Sequence, residues 1–184
     1  MDYQTKPISR RELRLIANTI KRLFGCRNKY YFDVIDAFEK VHKAVPKIFT
    51  EIIEDDDVSI IPDLEVPAAC IEAKNGITIY VRQRIYDGAV IDKGGFRAHI
   101  MHEMSHAFLF LLGFRPVLTR SFKNNEIQPM YISVEWQAKA LAGEILVPYD
   151  ATKGMSTRSI MKRCCVSEEC ACRRRKLDES PQIQ

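Results

Sequence analysis

Two histidines four residues apart, with a glutamate directly after the first, stand inside a long apolar segment: His102-Glu103-Met104-Ser105-His106. On a helix, residues i and i+4 project from one face about one turn apart. Both imidazoles can therefore reach a single divalent ion while Glu103 leans toward the ion's open side. The plainer alternative is a helix with two structural histidines and an accidental acid. Phe108, Leu109, Leu111 and Leu112 argue against it, because they mark a core helix in which unpartnered imidazoles and a carboxylate are costly. A metal supplies those partners. Catalytic zinc takes three protein ligands and leaves a fourth position to water. Glu135 is the leading third ligand, since it interrupts the apolar stripe Ala138, Leu141, Ala142 and Ile145 of the next helix; Glu126, in a polar loop, and Glu144, late in that helix, compete with it.

These residues must be positioned by their elements. Ser9 caps an amphipathic helix with Leu13, Ile16, Ala17, Ile20 and Leu23 at helical spacing, ended by Gly25. Asp33 opens a second, with Val34, Phe38, Val41 and Val45 on one side and Pro46 at its end. Two β-prone runs follow at 48–53 and 58–61, separated by the solvated acidic turn 54–57. Residues 69–72 and 77–81 flank Lys74-Asn75-Gly76, and Asn-Gly between β-prone runs is a strong hairpin signal. The metal-binding helix runs from about 96 to 112, preceded by Gly94-Gly95 and stopped by Gly113 and Pro116. A short strand at 117–122, a loop at 123–125, and a helix capped by Ser133 and closed by Pro148 come next. The chain ends in a helical hairpin, 157–165 and 168–177 with Ser167 as the second cap, and a frayed tail. The expectation is an α+β fold. A small antiparallel sheet packs on the central metal-binding helix in residues 1–150, with a helical appendage in 151–184.

The run from Gly95 to His106 resembles the Arg-Phe-Thr-x-Ala-His-Glu-x-x-His block of the ImmA/IrrE metallo-endopeptidases. Residues 135–148 are similar to that family's second block, Glu-x-x-Ala-x-x-Phe-Ala-x-x-Leu-Leu-Met-Pro, and Val166-Ser167-Glu168-Glu169 to the start of its small C-terminal helices. Ile79-Tyr80-Val81 is placed like the family's strand ahead of the metal helix, so the likeness covers residues from about 75 to 178. It implies a zincin-like fold, His102, His106 and Glu135 as zinc ligands, and Glu103 as catalytic acid/base. It also implies a protein substrate: a helix-turn-helix transcriptional repressor, often encoded nearby on a mobile element or in a stress regulon. Ala98 replaces the family's usual Phe, His99 its Thr, Met101 its Ala and Leu141 its Phe. His99 shares the ligands' face, but three histidines from one helix splay too far along its axis to complete a tetrahedron.

Zinc is the expected cofactor, with manganese the substitute suited to a carboxylate ligand. Tyr131, Tyr149, Arg97 and His99 are of the right type to stabilise an oxyanion, and residues 77–81 could hold an extended substrate as an edge strand. Cys164, Cys165, Cys170 and Cys172 lack the paired spacing of zinc ribbons and suit helix packing. The run Arg173-Arg174-Arg175-Lys176 complements a helix end and stays wet. Composition agrees with a globular chain of 184 residues, 46% hydrophobic and 28% charged. The net charge of +4 lies wholly beyond residue 150, which speaks against a nucleic-acid footprint on the main body. Neither an export signal nor a membrane span is visible, so the expected compartment is the cytoplasm and the cysteines thiols. A non-proteolytic module that binds metal and a repressor partner is the competing reading; Glu103 argues against it, because a structural site has no use for a base there.

Overall fold

The computed structural model describes residues 3–116 and 129–179. Helix α1 (Arg10–Leu23) begins in a reciprocal capping box. The Ser9 hydroxyl accepts from the Glu12 amide at 3.2 Å, and the Ser9 amide donates to the Glu12 carboxylate at 2.8 Å. Leu13, Ala17 and Ile20 turn inward, whereas Leu23, expected on that stripe, is exposed. Helix α2 (Val34–Ala44) is capped by Asp33, whose carboxylate accepts from the Asp36 amide, and buries Val34, Phe38 and Val41.

Strands β1 (Ile48–Ile53), β2 (Ala68–Ala73) and β3 (Gly76–Arg82) form one sheet in the order β1-β3-β2. The hairpin β2–β3 is antiparallel as expected, but β1 joins β3 in parallel, so the sheet is mixed rather than wholly antiparallel. Ile77, Ile79 and Val81 supply its inward face and are fully buried. Gly76 is required at the turn, because a Cβ there would lie 2.5 Å from the Lys47 carbonyl oxygen.

Residues 58–61 do not form the expected strand. Both sides of β3 are already taken, and Arg82, at the end of β3, draws the connecting segment inward. Its guanidinium donates to the carbonyls of Glu54, Asp55, Asp57, Ile61, Asp63 and Val66 at 3.0–3.2 Å. The acidic turn thus has its carbonyls folded onto a buried cation rather than solvated throughout.

Helix α3 (Gln83–Val90) follows β3 directly and packs on α4 (Gly94–Leu111), with Gly88 pressed against the Phe96 ring. Helix α4 lies against the sheet, α2 and α5 (Val134–Leu146), and α5 packs in turn on α1. A short 3-10 turn (Met130–Ile132) leads into α5. Helices α6 (Tyr149–Thr152), α7 (Thr157–Cys164) and α8 (Glu168–Glu179) complete the chain. The mixed α+β character expected from the sequence is borne out. The strand and loop expected at 117–125, Glu126, and the tail beyond 179 lie outside the described residues. Among the described residues, no helix is long and apolar enough to cross a membrane.

Candidate metal centre

His102 and His106 sit one turn apart on α4, their ring centroids 4.6 Å apart and their Nε2 atoms 3.2 Å apart. Glu135 enters from the first turn of α5, where the Ser133 hydroxyl caps the helix by accepting from the Trp136 amide at 2.9 Å. Its Oε2 is 3.4 Å from His102 Nε2 and its Oε1 is 3.2 Å from His106 Nε2. Around zinc with bonds of about 2.0–2.1 Å, neighbouring corners of a tetrahedron are about 3.3 Å apart. The Nε2–Nε2 distance and the distance from each imidazole to its own oxygen of the Glu135 carboxylate are close to that edge, so the three residues fit a small divalent ion. Among the described residues these three are the one His/Cys/Asp/Glu group that could hold a metal ion.

The electrostatics point the same way. Hydrogen bonds from the His102 and His106 imidazoles hold the Glu135 carboxyl far below the usual carboxylate range. Each ring turns its Nδ1 into the protein, and neither buried Nδ1 has a hydrogen-bond partner among the described residues. Among the described residues, no carboxylate or carbonyl orients either histidine from behind, as one usually does for a ligating histidine.

Glu103 lies beside this triad without joining it: its Oε1 is 3.9 Å from His102 Nε2. Burial pushes its carboxyl up to about 7, against the pull of His102 and a hydrogen bond from the Cys70 backbone. Near neutrality such a group can both accept and return a proton.

Other sequence expectations are redistributed. Glu144 is not a competing ligand, since its buried carboxylate accepts from Arg10 Nη1 at 3.1 Å and Arg14 Nε at 3.3 Å. Arg97 is spent on the carbonyls of Phe32, Cys164 and Cys165 and is fully buried. Tyr149 is enclosed between the guanidiniums of Arg14 and Arg174, 3.8 and 4.3 Å from its ring centroid. Of the four oxyanion candidates, exposed Tyr131 and His99 keep accessible side chains. Partial desolvation by the surrounding protein lowers the His99 pKa although the side chain reaches solvent, and the neighbouring His102 adds to the shift.

Residues 77–81 are not an edge strand: β3 is paired on both sides, and β2 is the edge strand beside α4. That Cys70 of β2 reaches Glu103 was invisible to sequence reading, because the hairpin signal does not say which strand faces the helix. The C-terminal cysteines form no metal group among the described residues; burial pushes the Cys164 and Cys170 thiols up to about 11. The basic run is only partly wet, for Arg174 is buried and bonded to the Tyr149 carbonyl and to Asp178. No protein-family model matches this chain, and no curated protein is significantly similar to it in sequence.

Proposed function

We propose that the protein is a zinc-dependent endopeptidase of zincin-like fold, with His102, His106 and Glu135 as ligands and Glu103 as general acid/base. The observation that carries this reading is the convergence of two imidazole nitrogens and the Glu135 carboxylate, at 3.2–3.4 Å, from two packed helices, with a second carboxylate beside them. A zinc ion there would polarise a peptide carbonyl and acidify a water molecule toward neutrality. Glu103 would accept a proton from the attacking water and return it to the amine nitrogen released when the peptide C–N bond breaks. Strand β2, the sheet edge beside α4 among the described residues, supports an extended substrate by main-chain pairing where Glu103 does not already engage it at Cys70.

The resemblance to ImmA/IrrE metallo-endopeptidases makes a helix-turn-helix repressor the proposed substrate and the cytoplasm the proposed compartment. A metal site kept only for structure does not account for Glu103, a half-buried carboxyl 3.9 Å from the His102 imidazole and outside the ligand set. Purified protein is expected to carry about one zinc per chain, measured by elemental analysis. Glu103→Gln should retain that zinc and lose turnover by on the order of 10² or more. Wild-type cleavage by Glu103→Gln would refute the proposed role, and full zinc occupancy in His102→Ala would refute the site.

A further inference from the structure

A cavity of about 580 Å³ lies between α4, α5 and α8 and reaches His102. That volume falls within the about 300–1,000 Å³ of pockets that enclose small organic ligands, more than one peptide side chain needs. Its floor is built from small residues on the two ligand-bearing helices: Gly95 and Ala98 on α4, Ala140 and Gly143 on α5. A glycine inside a helix costs about 0.5–1 kcal/mol relative to alanine. At Gly95 and Gly143 that cost is not repaid by tight packing, because a Cβ at either position would meet nothing within 4 Å. What the missing side chains leave is open space beside the metal centre.

The lining is also cationic. Arg10, Lys139, Arg173 and Arg174 stand against two carboxylates, Glu144 and Glu169. Both acids are already engaged, Glu144 by Arg10 and Arg14 and Glu169 by Arg173. The surplus of guanidinium and ammonium groups over carboxylates gives the cavity a net positive lining, which favours a ligand that carries an anionic group.

We propose that this cavity is a substrate-recognition pocket that takes an aliphatic or aromatic side chain of the cleaved protein together with an acidic residue close to it. The inference deepens the peptidase reading and rests on it for the substrate's identity as a peptide. The small residues of α4 and α5 admit the apolar side chain, and the Arg173 side of the cavity, contributed by α8, receives the carboxylate. The C-terminal hairpin is then part of the specificity apparatus.

The test uses the full chain and two blocked hexapeptides without tryptophan, each with a central leucine and either a glutamate or a lysine two residues away. The chain's single tryptophan, Trp136, lines the cavity, so its fluorescence reports occupancy in metal-free protein without any cleavage. The glutamate peptide should bind about fivefold more tightly than the lysine peptide, the effect of one accessible charge pair. Arg173→Glu should reverse that order. Gly143→Leu fills the cavity and should weaken both peptides by about tenfold or more while the thermal midpoint stays the same or rises. Equal binding of the two peptides to wild type, or titrations indifferent to both substitutions, would overturn the inference. Zinc-loaded wild type that shows these preferences and cleaves neither the peptides nor a repressor would refute the peptidase reading and leave the pocket standing. Cleavage unaffected by Gly143→Leu and Arg173→Glu would refute the pocket alone.

Discussion

Glu135 and Glu144 lie nine positions apart on one helix, and replacing each by glutamine should separate a ligand from a structural anchor. Glu144 has a side chain 3% exposed, and its two oxygens accept from Arg10 and Arg14 on α1. Glutamine keeps one acceptor oxygen but removes the charge that neutralises two guanidiniums exposed by only 14% and 17%. Breaking a buried ion pair costs about 3–5 kcal/mol, and the retained hydrogen bond and partial exposure reduce this to about 2–4 kcal/mol. For a chain of this size about 1 kcal/mol corresponds to about 2–4 °C, so the midpoint should fall by on the order of 10 °C. Glu135 is 40% exposed, so solvent screens its hydrogen bonds with the two imidazoles. Glu135→Gln should therefore change the stability of the metal-free protein by less than about 1 kcal/mol. Its zinc affinity, however, should fall by on the order of 10² or more, because a charged ligand is lost. Thermal unfolding of chelator-treated protein followed by circular dichroism gives the first quantity, and zinc titration against a chromogenic chelator the second. If Glu144→Gln lost zinc at unchanged midpoint, or Glu135→Gln bound zinc as tightly as wild type, the assignment of the two carboxylates would be reversed.

Arg82→Met should destabilise the fold by about 4 kcal/mol or more, since six carbonyls lose a charged donor, and limited proteolysis should then cut within residues 54–67. Replacing Cys164, Cys165, Cys170 and Cys172 together by alanine or serine should leave zinc at about one per chain with a stability loss of about 1–3 kcal/mol; a fall from two zinc ions to one would make the cluster a metal site. Chelation of the wild-type protein should leave the far-ultraviolet circular dichroism unchanged and lower stability only by the binding linkage, about 2.7 kcal/mol at a free zinc concentration one hundred times Kd. Loss of helical signal on chelation would show that the ion organises the fold.

What could be read from the sequence was what local chemistry decides. Ser9 with Glu12, Asp33, and Ser133 each satisfy backbone amides within a few residues of themselves, so the starts of α1, α2 and α5 were legible. The Asn75-Gly76 turn and the i, i+4 histidines are equally local. The parallel pairing of β1 with β3 is not, because an alternating strand presents the same inward face whichever way its neighbour runs. Helix α3 starts at Arg82 without any side-chain cap, leaving no signature at its beginning. Residues 58–61 have the β-branched composition of a strand, but the demand of one buried guanidinium for carbonyls outweighs that propensity. Glu135 was legible as a break in an apolar stripe. The structural role of Glu144 was not, since it depends on docking α1 more than one hundred residues away.

The two helices that carry His102, His106 and Glu135 are fixed by contacts that involve no ion. At the start of α4, Gly94 abuts the backbone of Val166 and Ser167 so closely that a Cβ would come within 2.5 Å, and Arg97 ties the same turn to three carbonyls. At the start of α5, the N-terminal segment forms a bridge: the Val134 amide donates to the Tyr3 carbonyl at 2.9 Å and the Thr5 amide to that of Ile132 at 2.8 Å. Buried Gln137 adds two bonds from its side-chain amide, to the carbonyls of Lys6 and Tyr131. His102 and His106 are thus set by one group of restraints and Glu135 by another, and the packing of α4 on α5 brings them to ligand spacing. Small zinc domains that fold only with metal have no such independent restraints. Here the chain itself holds the donors 3.2–3.4 Å apart. Binding energy need not be spent on ordering the fold, so a bound ion remains available to polarise a substrate.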